Sequence, residues 1–114
     1  VGKHEGKLGR SVDISQFGVN IVVLEPGSIS SLRHWHEAED EFVYVLSGEL
    51  TLVDNDGEHT LRNGSYAGFR AGSPNGHHLV NNSSESASFL AIGTRQPGVD
   101  VCHYPDHDIG PIKR

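Results

Sequence analysis

The chain has 114 residues and a mass of 12.4 kDa, close to the roughly 100–150 residues at which one domain buries one core. Nine Lys and Arg against fifteen Asp and Glu give a net charge of −6, with no basic stripe, which argues against nucleic acid as a partner. No apolar run approaches the ~20 residues of a membrane helix, so no membrane partner is expected.

A single cysteine, Cys102, allows neither an internal disulfide nor a zinc finger. Residues 1–10 are polar and carry no signal-peptide core, so the expected setting is the cytoplasm. Eight histidines and fourteen glycines are the unusual features of the composition.

In chain order, Phe17-Gly-Val-Asn-Ile-Val-Val-Leu24 is rich in β-branched residues and ends at Glu25-Pro26-Gly27, a strand followed by a turn. Ser28 to His36 is polar but bounded by turns and fits a strand with a polar inward face. Glu41 to Leu46 is a strong strand closed by Ser47-Gly48, and Glu49 to Val53 alternates well. The turn Asp54-Asn55-Asp56-Gly57 then returns the chain through Glu58 to Leu61 as a hairpin. Short strands are also predicted at Tyr66 to Arg70, His77 to Asn81 and Ala87 to Ile92.

No helical period is sustained, and the apolar pattern fades after Gly93. The expectation is one all-β domain over residues 1–114. It has an antiparallel barrel or sandwich core at about 17–93 and a tail, 94–114, that packs on the barrel or on a partner.

One stretch carries chemistry: His34-Trp35-His36-Glu37-Ala38-Glu39-Asp40-Glu41. Residues two apart on a strand share a face, so His34 and His36 project side by side. Glu41 opens the next strand and adds a carboxylate, and the pair His77-His78 brings a third imidazole from across the sheet. His34, His36, Glu41 and one of His77 and His78 are therefore the candidate ligands of one divalent transition metal (iron, zinc, manganese or nickel), with coordination positions left open. A closed structural zinc site would favour Cys and His over a Glu.

The spacing Gly27, six residues, His34-x-His36, four residues, Glu41, six residues, Gly48 resembles the first motif of the cupin superfamily, in which five residues precede the first His. A degenerate second motif runs from Gly64 through Arg70-Ala71-Gly72, with Arg70 in the usual place of a proline, to His77 and Asn81. Phrases such as Asp40-Glu-Phe-Val-Tyr-Val-Leu-Ser-Gly48, Gly76-His-His-Leu-Val-Asn81 and Tyr104-Pro-Asp106 are similar to a group of small bacterial single-cupin proteins. The resemblance covers about Phe17 to Gly93. It implies a double-stranded β-helix or jelly-roll barrel, and a metal-dependent dioxygenase, isomerase or lyase acting on a small organic acid or sugar.

The third histidine is His77 or His78. Strand parity groups His77 with Leu79 and Asn81, and the family motif places its Asn four residues after its His, which favours His77. The remaining polar residues have plainer readings. Glu37, Glu39 and Asp40 read as a solvated loop, Arg70 as a surface residue, and His4, His59, His103 and His107 as exposed. Trp35 reads as outer-face packing or a dimer contact, and Phe42 and Tyr44 as core or interface. Cys102 has no basic neighbour beyond His103.

Two other function classes compete with a cupin enzyme: a non-catalytic, metal-anchored sensor of a small ligand, and a zinc hydratase or hydrolase. Exposed edge strands, together with the family resemblance, point to a homodimer.

Overall fold

The protein was analysed as a computed structural model, which describes residues 2–113. Its first strands are β1 (Lys3–Lys7), a single helical turn α1 (Leu8–Ser11), and β2 (Phe17–Leu24). Then follow β3 (Trp35–His36), β4 (Glu41–Ser47), β5 (Glu49–Asp54), β6 (Gly57–Arg62), β7 (Tyr66–Phe69), β8 (His78–Val80) and β9 (Ala87–Thr94). The chain ends with β10 (Val101–His103) and β11 (Ile112–Lys113).

These strands form antiparallel sheets in the orders β1-β2-β9-β4-β7, β6-β5-β8 and β11-β10-β3. Two backbone bridges, Ile29 to Val80 and His34 to His77, lay the segment leading into β3 against the strand of β8, so the two smaller sheets meet. No helix among the described residues is long and apolar enough to cross a membrane.

Period-2 burial builds the core. Val43 and Val45 of β4 point inward with Val22 and Leu24 of β2 and Phe89 of β9, and they meet Leu50, Leu52 and Leu79 of the facing sheet. Full burial of each such side chain contributes about 1.5–3 kcal/mol. The β4–β5 turn needs Gly48: its φ is +79°, and a Cβ there would come within 2.8 Å of the Ala87 Cβ.

The structure departs from the sequence reading in several places. Residues 3–7, which have no apolar alternation, form an edge strand on β2, with Lys3 opposite Leu24 and Lys7 opposite Asn20. A polar edge strand of this kind resists pairing with other chains. Ser28 to His36 is a strand only at its last two residues. The tail after Gly93, where the apolar pattern fades, carries a strand the sequence reading did not assign: β10 pairs with β3, with Cys102 opposite His36.

Phe42 and Tyr44 are not core residues. They stand 37% and 38% exposed on the outer face, because the inward positions of β4 belong to Glu41, Val43 and Val45.

Candidate metal centre

The same alternation that buries Val43 and Val45 turns Glu41 inward at the open end of β4. His34 and His36 approach it from the segment around β3, and His77 from the start of the β8 strand. Three imidazole Nε2 atoms surround one carboxylate oxygen, Glu41 Oε1: His77 at 2.7 Å, His36 at 3.4 Å and His34 at 3.8 Å. The ligating atoms of His34, His36 and Glu41 lie within 4.8 Å of one another.

His77, not His78, reaches Glu41; the His78 Nδ1–H donates instead to the Ser31 carbonyl at 2.9 Å. Burial follows the same parity, with His77, Leu79 and Asn81 buried and the intervening His78 and Val80 half-buried. Asn81 is structural: its side-chain amide donates to the carbonyls of Leu24 and Glu85 at 2.8 Å and fixes the turn after β8.

Each of the three rings is also held at its other nitrogen. The His34 Nδ1–H donates to the Leu32 carbonyl at 2.8 Å, and the His77 Nδ1–H to the Asn75 carbonyl at 2.9 Å. His77 is further stacked on Phe69, with ring centroids 3.6 Å apart. The His36 Nδ1–H donates to Asp100 Oδ2 at 2.6 Å, and the Cys102 sulfur lies 3.3 Å from the same nitrogen.

Electrostatics follow from this crowding. Burial raises the Glu41 pKa, but the imidazoles of His34 and His77 and the charge on His36 outweigh it, so the carboxyl titrates well below its ordinary range. Burial likewise opposes charge on His36, but Cys102, Glu41 and Asp100 around the ring push its pKa up to about 9. Without metal, the centre is thus an ionised carboxylate facing an imidazolium.

The site opens into a cavity of about 580 Å³. Its polar wall includes Lys3, Ser31, His78 and Tyr104, and its apolar wall Leu52 and Phe89. A second depression of about 570 Å³, beside α1, holds none of the candidate ligands; its lining includes Lys7, Arg10 and Arg95 together with Glu5 and Asp13.

Sequence reasoning missed Asp100 and the surroundings of Cys102. Asp100 is fully buried, and Cys102 lies against His36 rather than near His103 alone. The available signal was slight: an acidic residue two positions before a cysteine in a strand-like triplet. His103 is half-buried, stacked on Trp35 at 4.1 Å and paired with Glu37. Glu39 and Asp40 are loop anchors, accepting the backbone N–H groups of Gln96 and Ala71 respectively. Arg70 is exposed and lines no cavity described above.

Comparison with known proteins fits this geometry. A cupin superfamily protein from Silicibacter pomeroyi described as a sugar phosphate isomerase is 50% identical, with a TM-score of 0.92 over 94% of this chain and 68% of that one. A putative sugar phosphate isomerase from Acidithiobacillus ferrooxidans is 33% identical, with a TM-score of 0.87 over 91% of this chain and 65% of that one. The chain therefore spans about two thirds of each of these two proteins. The cupin domain of a transcriptional regulator from Enterobacter cloacae is 25% identical, with a TM-score of 0.67 over 84% of this chain and 99% of that domain. No protein of curated function matches the chain. The family model for the cupin domain matches residues 20–93, a span that contains the barrel, three of the histidines around Glu41 and Glu41 itself, and the chain belongs to the cupin family.

Proposed function

We propose that the protein is a metal-dependent cupin enzyme of the isomerase class, acting on a small sugar-like substrate that carries an anionic group such as phosphate. The observation that carries the reading is the arrangement of His34, His36 and His77: each ring is held at Nδ1, and each directs Nε2 at Glu41. This donor set, three imidazoles and one carboxylate, suits iron, zinc, manganese or nickel. A bound ion would polarise a substrate carbonyl or hydroxyl and stabilise charge developing on its oxygen.

The chain's own groups supply the rest. An aldose–ketose interconversion moves a proton between adjacent carbons, so a group on the cavity wall must take the proton and return it. His78 is the imidazole there outside the ligand set; with Nδ1–H held by the Ser31 carbonyl, its Nε2 is the proton acceptor. Lys3, whose ammonium donates to the Ser30 carbonyl at 2.7 Å, lies on the same wall and offers a cation to the substrate's anionic end.

The isomerase class is favoured over dioxygenase and lyase chemistry by the two sugar phosphate isomerase descriptions among the similar structures. The test is to incubate the metal-loaded protein with phosphorylated aldoses and ketoses in deuterated water. Interconversion with deuterium incorporated beside the carbonyl is expected. Ligand-induced thermal stabilisation without turnover would contradict catalysis and favour a sensor, the reading to which the cupin domain of the Enterobacter cloacae regulator lends weight.

A homodimer and a cytoplasmic setting belong to the same reading. The outer face beside edge strand β7 carries Phe42, Tyr44 and Tyr66 exposed, with Phe42 stacked on Tyr66 at 5.9 Å, and Cys102 is a free thiol. A sedimentation mass of one subunit would overturn the dimer.

A further inference from the structure

We infer that Asp100 is a positioning residue of the metal centre: its carboxylate, supplied from beyond the cupin-matched span, holds His36 in the tautomer that leaves Nε2 free to ligate. The inference rests on the metal reading above and deepens it.

The three histidines solve one problem in two ways. His34 and His77 each donate Nδ1–H to the carbonyl two residues earlier in the chain, Leu32 and Asn75. For His36 the equivalent acceptor is the His34 carbonyl. That oxygen instead accepts the His77 backbone N–H at 3.0 Å in the bridge that brings the two segments together. The third ring takes its Nδ1 partner from elsewhere in the chain.

Asp100 supplies it from 64 residues away. It is fully buried, and its Oδ2 accepts the His36 Nδ1–H at 2.6 Å. Its Oδ1 accepts the Ala38 backbone N–H at 2.9 Å, and its own N–H donates to the Gln96 carbonyl at 2.9 Å. Two residues on, Cys102 is the register partner of His36. The carboxylate is thus fixed on both oxygens before any metal arrives. A carboxylate acceptor at Nδ1 sets the ring's tautomer and orientation and strengthens Nε2 as a donor.

A purely structural role, in which Asp100 only ties the turn at Ala38, makes a different forecast for Asp100→Asn. The Ala38 N–H can only donate, so the amide oxygen of the new side chain must face it. The amide NH2 then faces His36 Nδ1, turns that nitrogen into an acceptor, and moves the ring proton to Nε2. The variant keeps the turn and inverts the tautomer.

The experiment compares wild-type protein and Asp100→Asn, with zinc as the probe metal. Zinc affinity, read by competition with a chromophoric chelator, is expected to fall by about 10–100-fold. Imidazole ¹⁵N spectra of the metal-free proteins at alkaline pH are expected to place the His36 proton on Nδ1 in wild type and on Nε2 in the variant. Unchanged zinc affinity, or a variant that retains the Nδ1–H form, overturns the inference.

Failure of the wild type to bind zinc contradicts the metal reading instead, and the tautomer comparison, made without metal, still decides the role of Asp100. Should the variant not fold, the wild-type spectrum alone decides: a neutral His36 with its proton on Nε2 overturns the assignment, and one on Nδ1 supports it.

Discussion

Between residues 20 and 93 the chain holds itself by repetition: alternate side chains of β2, β4, β5 and β9, from Val22 and Leu24 to Ala87 and Phe89, enter one apolar core. Between residues 96 and 106, apart from the short ladder of β10, the anchors are individual polar or steric fits. Asp100 meets His36, Arg33 forks onto Asp106 at 2.7 and 2.9 Å, and Gly76 leaves the space that Pro105 fills, where a Cβ would approach to 2.6 Å. The barrel positions Glu41 by strand parity, whereas the segment after it secures His36 through one buried carboxylate. Loss of a barrel side chain costs stability and leaves the site's polar contacts in place; loss of one polar contact in the later segment costs the site.

The largest expected effect comes from removing the point where the two regions meet. His36→Ala should take the protein from one bound metal per chain to none and abolish turnover. Its circular dichroism should remain that of a β domain. Because Asp100 is left buried without its imidazole, stability should fall by about 1–3 kcal/mol in denaturant unfolding. Stoichiometric metal retained in this variant would break the comparison.

Next in size is a barrel substitution far from the histidines. Leu50→Ala, at a fully buried position, should cost about 2–5 kcal/mol in urea unfolding. Metal affinity measured under native conditions should change little, since Leu50 contacts the core and none of the ligands is on its strand. A loss of metal affinity matching that of the histidine variant would erase the distinction between the regions.

A smaller effect is expected from pH, in the metal-free protein. Glu41, held below its ordinary value of 4.5, adds stability that is complete above that value and is lost as pH falls through its folded pKa. His36, raised from 6.5 to about 9, adds stability that is complete below 6.5 and is lost as pH rises through about 9. Stability should therefore be greatest between about 4.5 and 6.5 and decline on the alkaline side. Metal binding at a pH of about 7.5 should release protons, His36 among their sources, which calorimetry in buffers of different ionisation enthalpy measures. Binding with no proton release would contradict a protonated His36 at the centre.

The smallest and most local effect belongs to Arg33→Ala. Loss of the fork to Asp106 and of the bond to the Gly76 carbonyl at 2.7 Å should raise amide exchange in residues 100–106. Protection in β2, β4 and β9 should stay as it was. Uniform loss of protection across both regions would show that the segment and the barrel unfold as one unit.

What could be read from the sequence divides along the same line. Strand parity placed His34 with His36 and His77 with Leu79, because these are consequences of a period of two. The same period separates Glu41 from Phe42 and Tyr44 without saying which face is inward, and the structure turns Glu41, Val43 and Val45 in. The polar edge strand β1 was illegible, since its pairing with β2 uses backbone groups and leaves no apolar alternation. Asp100 and β10 were illegible for a different reason. Three residues at Val101–His103 are too few to show a period, and a carboxylate that bonds a residue 64 positions away has no local signature. Arg33 and Asp106, 73 positions apart, carry no local signal of the ion pair that the fold makes between them at 2.7 Å.

The central claim, that His34, His36, His77 and Glu41 hold one transition metal, is tested most directly by the protein purified without tag or chelator. Elemental analysis gives the metal per chain, and anomalous diffraction locates it. One ion per chain, with its anomalous peak among the three Nε2 atoms and the Glu41 carboxylate, is the expected result. No bound metal even after reconstitution, or a peak away from these four residues, would contradict it.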